Sequence, residues 1–125
     1  MKKIQIALLF GFVFIGTTVF GQYLPTSYEG ILNEIVENFE TIRGANSVKD
    51  GSTSLRLLSA DKIVLRLDHK RKVKTLTFVR KKDEEGNKYW VSANTLTTDM
   101  INKYEKFVTK ELTNMLEVSR EKAKQ

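Results

Sequence analysis

The amino-acid sequence predicts an α+β fold, a two-layer sandwich in which two amphipathic helices pack on one face of a four-stranded antiparallel meander. Three observations lead to this prediction. Apolar residues recur at helical spacing near both ends of residues 22–125. Between these helices lie four runs in which apolar and polar residues alternate, as they do in strands. The links between the runs are too short for parallel crossovers, so neighbouring strands are expected to be antiparallel.

Residues 1–21 are predicted to be a cleaved signal peptide and stand outside this fold. Lys2 and Lys3 precede a nearly unbroken apolar run, as in a signal peptide. The segment ends at Gly21 with residues of small or modest size at the positions that a signal peptidase recognises, so cleavage is expected before Gln22. The alternative is an uncleaved anchor, although the run is about as short as a spanning helix can be, about 17–20 residues. We expect a periplasmic or secreted protein that is not integral to the membrane after cleavage, with residues 22–125 as a single α+β domain.

The first helix is predicted over residues 27–43. Its apolar stripe consists of Tyr28, Ile31, Leu32, Ile35, Val36, Phe39 and Ile42. Thr26 and Glu29 have the spacing of a capping box, and Gly44 follows where a helix often ends in a left-handed residue.

Four strands are predicted, over Thr53–Ser59 and over residues 63–67, 73–81 and 88–93, which gives the order α-β-β-β-β-α. Val48 could belong to a further short edge strand, which is not included among the four predicted strands. The second helix is predicted to begin at Thr97 or Thr98 and to run to about Glu117 or Arg120, followed by a frayed tail.

Positive charge is concentrated in the middle of the chain. The formal net charge is +6 for the whole sequence, and residues 62–82 contain nine Lys and Arg against one acid, Asp68. Two clusters, residues 70–72 and 80–82, fall at opposite ends of one predicted strand, about 30 Å apart. This distance is too large for one compact anion site. Because the two clusters do not form one compact site, binding of an extended anionic partner through these strand ends is only the second functional hypothesis. Such a partner would be an anionic envelope lipid or a polysaccharide.

The first functional hypothesis is a small non-catalytic binding domain that uses the face of the sheet away from the helices. The predicted strand alternation places six candidate binding residues on this face: Arg56, Arg66, Thr75, Thr77, Lys88 and Trp90. The partner is expected to be an unknown protein or a second copy of the chain. A one-residue error in register would bury Trp90 and expose Tyr89 instead.

The sequence shows no set of residues that would make an enzyme. Cysteine is absent, and His69 is the only histidine, in an expected loop, so neither a metal site nor a catalytic triad is predicted. Glycine-rich phosphate loops and hydrolase motifs are also missing. We therefore expect no cofactor, and a hydrolytic enzyme remains a remote alternative. Export argues against nucleic acid as the partner.

Overall fold

A computed structural model describes residues 22–125 as a six-stranded antiparallel sheet with three helices. The elements in chain order are β1 Gln22–Tyr23, α1 Thr26–Thr41, β2 Ser47–Asp50, β3 Thr53–Ser59, β4 Lys62–His69, β5 Lys72–Lys82, β6 Lys88–Ser92, α2 Thr95–Lys103 and α3 Glu105–Ala123. The predicted signal peptide lies outside the described residues. Within residues 22–125, no helix is long and apolar enough to cross a membrane.

The predicted α+β class and the antiparallel meander are confirmed, but the predicted number of strands is wrong. The spatial order is β1-β6-β5-β4-β3-β2, so the chain runs back and forth from β2 to β6 without a crossover. Five strands have four or more residues, because the segment around Val48 pairs with β3 as the edge strand β2. The sixth strand, β1, adds two residues beside β6.

The core lies between the sheet and the helices. It is built from alternate residues of the strands and from residues at helical spacing in the helices. Leu55, Ile63, Leu65, Leu76 and Phe78 are fully buried at alternating positions of the three central strands. The helices contribute side chains at helical spacing, namely Tyr28, Leu32, Ile35, Val36, Phe39, Met100, Ile101, Val108, Leu112, Met115 and Leu116. Burial of this stripe stabilises helices that would be marginal alone in water.

Helices α1 and α3 lie side by side and run in the same direction. The Tyr28 hydroxyl contacts the Thr109 hydroxyl at 2.9 Å, and ten residues further along each helix Asn38 donates to the Ser119 hydroxyl at 2.9 Å. The equal spacing of the two contacts fixes the parallel alignment. Between them in α1, Glu34 accepts two hydrogen bonds from the Arg120 guanidinium, which lowers the pKa of the Glu34 carboxyl.

The first helix starts one residue earlier than predicted and does not use the predicted capping box. Pro25 occupies the cap position, and no side chain caps the helix. The Glu29 carboxylate instead accepts a hydrogen bond of 2.7 Å from the backbone N–H of Trp90, at the edge of β6 that β1 leaves uncovered. Glu29, which the sequence suggests as part of a helix cap, therefore accepts a hydrogen bond from an otherwise unpaired backbone N–H at the edge of the sheet.

The predicted last helix is two helices, which meet at Tyr104. The first of them, α2, begins at Thr95 because the Asn94 carboxamide oxygen accepts from the Thr97 N–H at 2.8 Å. Thr97 is not the cap. Its hydroxyl accepts from the Thr77 N–H of β5 at 2.8 Å, where β6 has already ended. Helix α3 continues to Ala123, beyond the predicted end.

The turn between β4 and β5 is tighter than the charged loop that the sequence predicts. Only Lys70 and Arg71 connect the two strands, with φ angles of +50° and +67°. Left-handed conformations at both central residues are typical of a type I′ hairpin, which favours Asn-Gly. Two long cationic side chains therefore occupy positions at which each costs about 1–2 kcal/mol of backbone strain.

Candidate binding surface on the open face of the sheet

All three helices pack on one face of the sheet, and the other face, here called the open face, is built from the alternate residues of five strands. Cross-strand pairing defines its rows. Arg56 lies opposite Val64, which lies opposite Thr77, and Ser54 lies opposite Arg66, which lies opposite Thr75. Four of the six predicted binding residues, Arg56, Arg66, Thr75 and Thr77, therefore share this face in two neighbouring rows. Neighbouring strands are about 4.8 Å apart, so their side chains are close enough to contact one partner together.

The prediction that Trp90 lies on the open face is wrong. Its side chain is fully buried on the helix side, where the indole N–H donates to the Asn33 carboxamide oxygen at 2.8 Å. The Arg80 guanidinium lies over the ring at 5.2 Å from the centroid. Pairing of Arg80 with Trp90 and of Lys81 with Tyr89 fixes this register, so Tyr89 lies on the open face.

Lys88 is also absent from the open face. It lies opposite Lys82 on the helix side of the sheet, next to the hydrogen-bonded cluster around Arg80. The error has the same origin as the Trp90 error, because both residues belong to β6 and a one-residue shift moves all its side chains to the other face.

Three further cations on the open face escaped the sequence analysis. Lys49, Lys62 and Lys81 are exposed, and cross-strand pairing places them on the same side as Arg56 and Arg66. Their positions follow from strand alternation once β2 is recognised as a strand and the register of β6 is known. A count of Lys and Arg along the chain does not reveal how these residues divide between the two faces of the sheet.

The open face is strongly and uniformly cationic. It carries Lys49, Arg56, Lys62, Arg66 and Lys81 against a single acid, Asp68, so five positive charges minus one negative charge give +4. The four ion pairs found within residues 22–125 involve none of these five cations. Each charge is therefore compensated only by solvent and free to pair with an anionic partner.

The surface between the charges carries hydroxyl and apolar groups, and Val91, which lies opposite Val79, is fully buried on this face. Ser54, Thr75 and Thr77 separate the cations, and Val64 and Val79 are half-buried beside them. Val73, at the start of β5, exposes 52% of its surface, and Leu58, in the bulge at the end of β3, exposes 49%. Five strands at about 4.8 Å spacing give a plate about 20 Å wide and, along β5, about 35 Å long.

His69 is not the solvated loop residue that the sequence suggested. It is the last residue of β4 and is half-buried on the helix side, with ring centroids 4.1 Å from Tyr104 and 4.9 Å from Phe107. In the described part of the chain, no group of three or more His, Cys, Asp or Glu side chains could hold a metal ion.

Comparisons with known proteins add no assignment to these observations. The chain matches no family model, no curated protein and no solved structure.

Proposed function

We propose that this chain is a non-catalytic domain of the cell envelope that binds an anionic lipid surface through the open face of its sheet. The observation that carries the proposal is the set of five cations on one face of the sheet, opposite the helices, none of which belongs to an ion pair within residues 22–125. Export by the predicted signal peptide would bring such a domain to a membrane surface. Each Lys or Arg close to an anionic bilayer contributes about 1 kcal/mol to binding.

The arrangement of the charges favours a bilayer over a polysaccharide chain. The cations are spread over the whole plate and do not converge, so each one requires an anion of its own. A bilayer offers this as a plane of separate anionic headgroups. Leu58 is exposed in the bulge next to the Ser59–Lys62 pair, and Val73 is exposed opposite Asp68. Exposed apolar side chains gain from contact with the boundary between headgroups and acyl chains.

Co-sedimentation of the chain from Gln22 onward with lipid vesicles tests the proposal. We expect binding to vesicles of mixed phosphatidylglycerol and phosphatidylcholine, and none to pure phosphatidylcholine. Binding should fall steeply between low and physiological salt, because the Debye length shortens to about 8 Å and exposed charges are screened. Arg56→Glu/Arg66→Glu should abolish binding without changing the fold, since both side chains are exposed.

A charge-matched variant controls for nonspecific attraction. Lys106→Glu/Lys110→Glu changes the net charge equally, but both lysines are exposed on α3, on the other side of the molecule. This variant should retain vesicle binding. Equal loss in the two variants, or retention on an acidic polysaccharide resin without vesicle binding, would contradict the proposal. Salt-insensitive capture of a protein, or of a second copy, through the same face would favour the first hypothesis from the sequence.

A further inference from the structure

A second candidate site lies on the helix side of the sheet, at the end formed by the β4–β5 turn. A cavity of about 330 Å³ opens there between the sheet and the α2–α3 junction. Its walls are His69, Lys70, Lys72, Lys74, Leu96, Asp99, Met100, Lys103 and Tyr104. This space, here called the lysine cavity, is independent of the open face, because the sheet separates the two.

The lysine cavity lies where β4 and β5 extend beyond the hydrophobic core. Leu67 lies opposite Lys74, and His69 lies opposite Lys72, so the residues that follow the last core leucine on the helix side are polar. Helix α2 covers β5 here, and the chain then turns at Tyr104 before α3 begins. The break in the helix leaves the space that a continuous helix would fill.

The charge in the lysine cavity is unbalanced. Four lysines face one acid, Asp99, and none of these five groups belongs to an ion pair within residues 22–125. Lys74 is half-buried, and removing an unpaired ammonium from water is unfavourable unless an anion or a hydrogen-bond acceptor compensates it. The single carboxylate of Asp99 therefore cannot balance the four lysines of the cavity.

Two further features lie at the same end of the sheet: a buried polar atom without a hydrogen-bond partner, and a residue with backbone strain. The His69 Nε2 is buried without a hydrogen-bond partner, and no other buried side-chain nitrogen or oxygen in the described part of the chain lacks one. The strained Lys70 holds its ammonium 5.2 Å from the centroid of the Tyr104 ring. Residues in rare backbone conformations concentrate at ligand sites, where strain positions a side chain.

We propose that the lysine cavity binds a tetrahedral dianion of the phosphate class, free or as a phosphate monoester. A dianion with several acceptor oxygens can accept from several ammonium groups at once, whereas a carboxylate has one charge and two oxygens. The half-buried Lys74 and the lysine of α2, Lys103, approach from opposite walls. Tyr104, Met100 and Leu96 give the cavity an apolar side that suits the organic part of a small ester.

The test is a titration of the chain from Gln22 onward, followed by NMR, without vesicles. His69 is the only histidine, so its ring signals report on the lysine cavity without ambiguity. We expect saturable shifts with inorganic phosphate or glycerol 3-phosphate, and much smaller shifts with acetate at equal ionic strength. Tighter binding of glycerol 3-phosphate would identify an ester as the ligand, and tighter binding of inorganic phosphate would identify the free ion.

Variants assign the binding to the lysine cavity. Lys74→Met/Lys103→Met should weaken phosphate binding by about a hundredfold, because two charge-assisted hydrogen bonds are lost and each is worth about tenfold. Lys106→Met/Lys110→Met, on the exposed side of α3, should bind as the parent does. Lys103→Gln, an exposed single change, gives the same test if the double variant does not fold. Unchanged binding in the cavity variants, or shifts that grow linearly with every salt, would overturn the proposal.

Discussion

The two ends of β5 carry similar basic sequences but differ in how their charges are compensated. At the C-terminal end, the Arg80 guanidinium donates to Asp61 at 2.8 Å and to the Ala60 carbonyl oxygen at 2.7 Å, and it packs over Trp90. At the N-terminal end, Lys72 and Lys74 line a cavity without an ion pair within residues 22–125. Arg80 therefore uses its charge to hold the C-terminal end together, whereas Lys72 and Lys74 leave their charges available at the N-terminal end.

The largest expected effect concerns the C-terminal end. Trp90→Ala should destabilise the fold by about 3–5 kcal/mol, because it removes a fully buried ring together with the hydrogen bond from its indole N–H to Asn33. Tyr89→Ala, the neighbouring residue on the open face, should cost about 1 kcal/mol. Urea unfolding of both variants measures the difference. Equal losses would contradict the observed register of β6.

A second pair of variants compares the two ends directly. Arg80→Met should destabilise by about 2 kcal/mol, since it leaves the Asp61 carboxylate and the Ala60 carbonyl oxygen without their guanidinium donor. Lys74→Met should lie within about 0.5 kcal/mol of the parent or stabilise it, because it removes a half-buried charge that has no partner. Thermal unfolding at one pH and salt concentration provides the measurement. A larger loss for Lys74→Met would show that this lysine is structural, as Arg80 is.

The smallest expected effect concerns the strained turn at the N-terminal end. Lys70→Asn/Arg71→Gly should raise the free energy of unfolding by about 1 kcal/mol, because both new residues tolerate the left-handed conformation. Arg71→Ala is the matched control, since it removes the charge and keeps the strain. A gain in Arg71→Ala as large as in the double variant would attribute the effect to charge repulsion.

The sequence predicts the elements of this fold better than their orientation. Alternation in β3, β4 and β5 is unambiguous because each has small or charged residues on one face. In β6 three large residues, Tyr89, Trp90 and Val91, follow one another, so the hydrophobic pattern fits either register. The choice is made by tertiary contacts with Asn33 and Arg80, which sequence patterning does not reveal.

The same limit applies to the two candidate sites. No glycine or proline marks the helix break at Tyr104, whose ring packs against His69 from a strand 35 residues earlier in the sequence. Both rings line the lysine cavity. Lys49, Lys62 and Lys81 belong to the open face through strand pairing alone. Residue types were visible in the sequence, but their convergence was not.

The side chains that close the β6 edge also have a consequence for self-assembly. Fibrous growth by strand addition requires every molecule to offer two free edges, one for each neighbour. Here Glu29 and Thr97 occupy backbone N–H groups of β6 and β5, and β1 adds only two residues. Among the strands of residues 22–125 that have four or more residues, β2 is the one whose outer edge contacts neither another strand nor the Glu29 and Thr97 side chains. Two copies joined through β2 would cover this edge in both molecules, which disfavours the addition of a third copy by strand pairing.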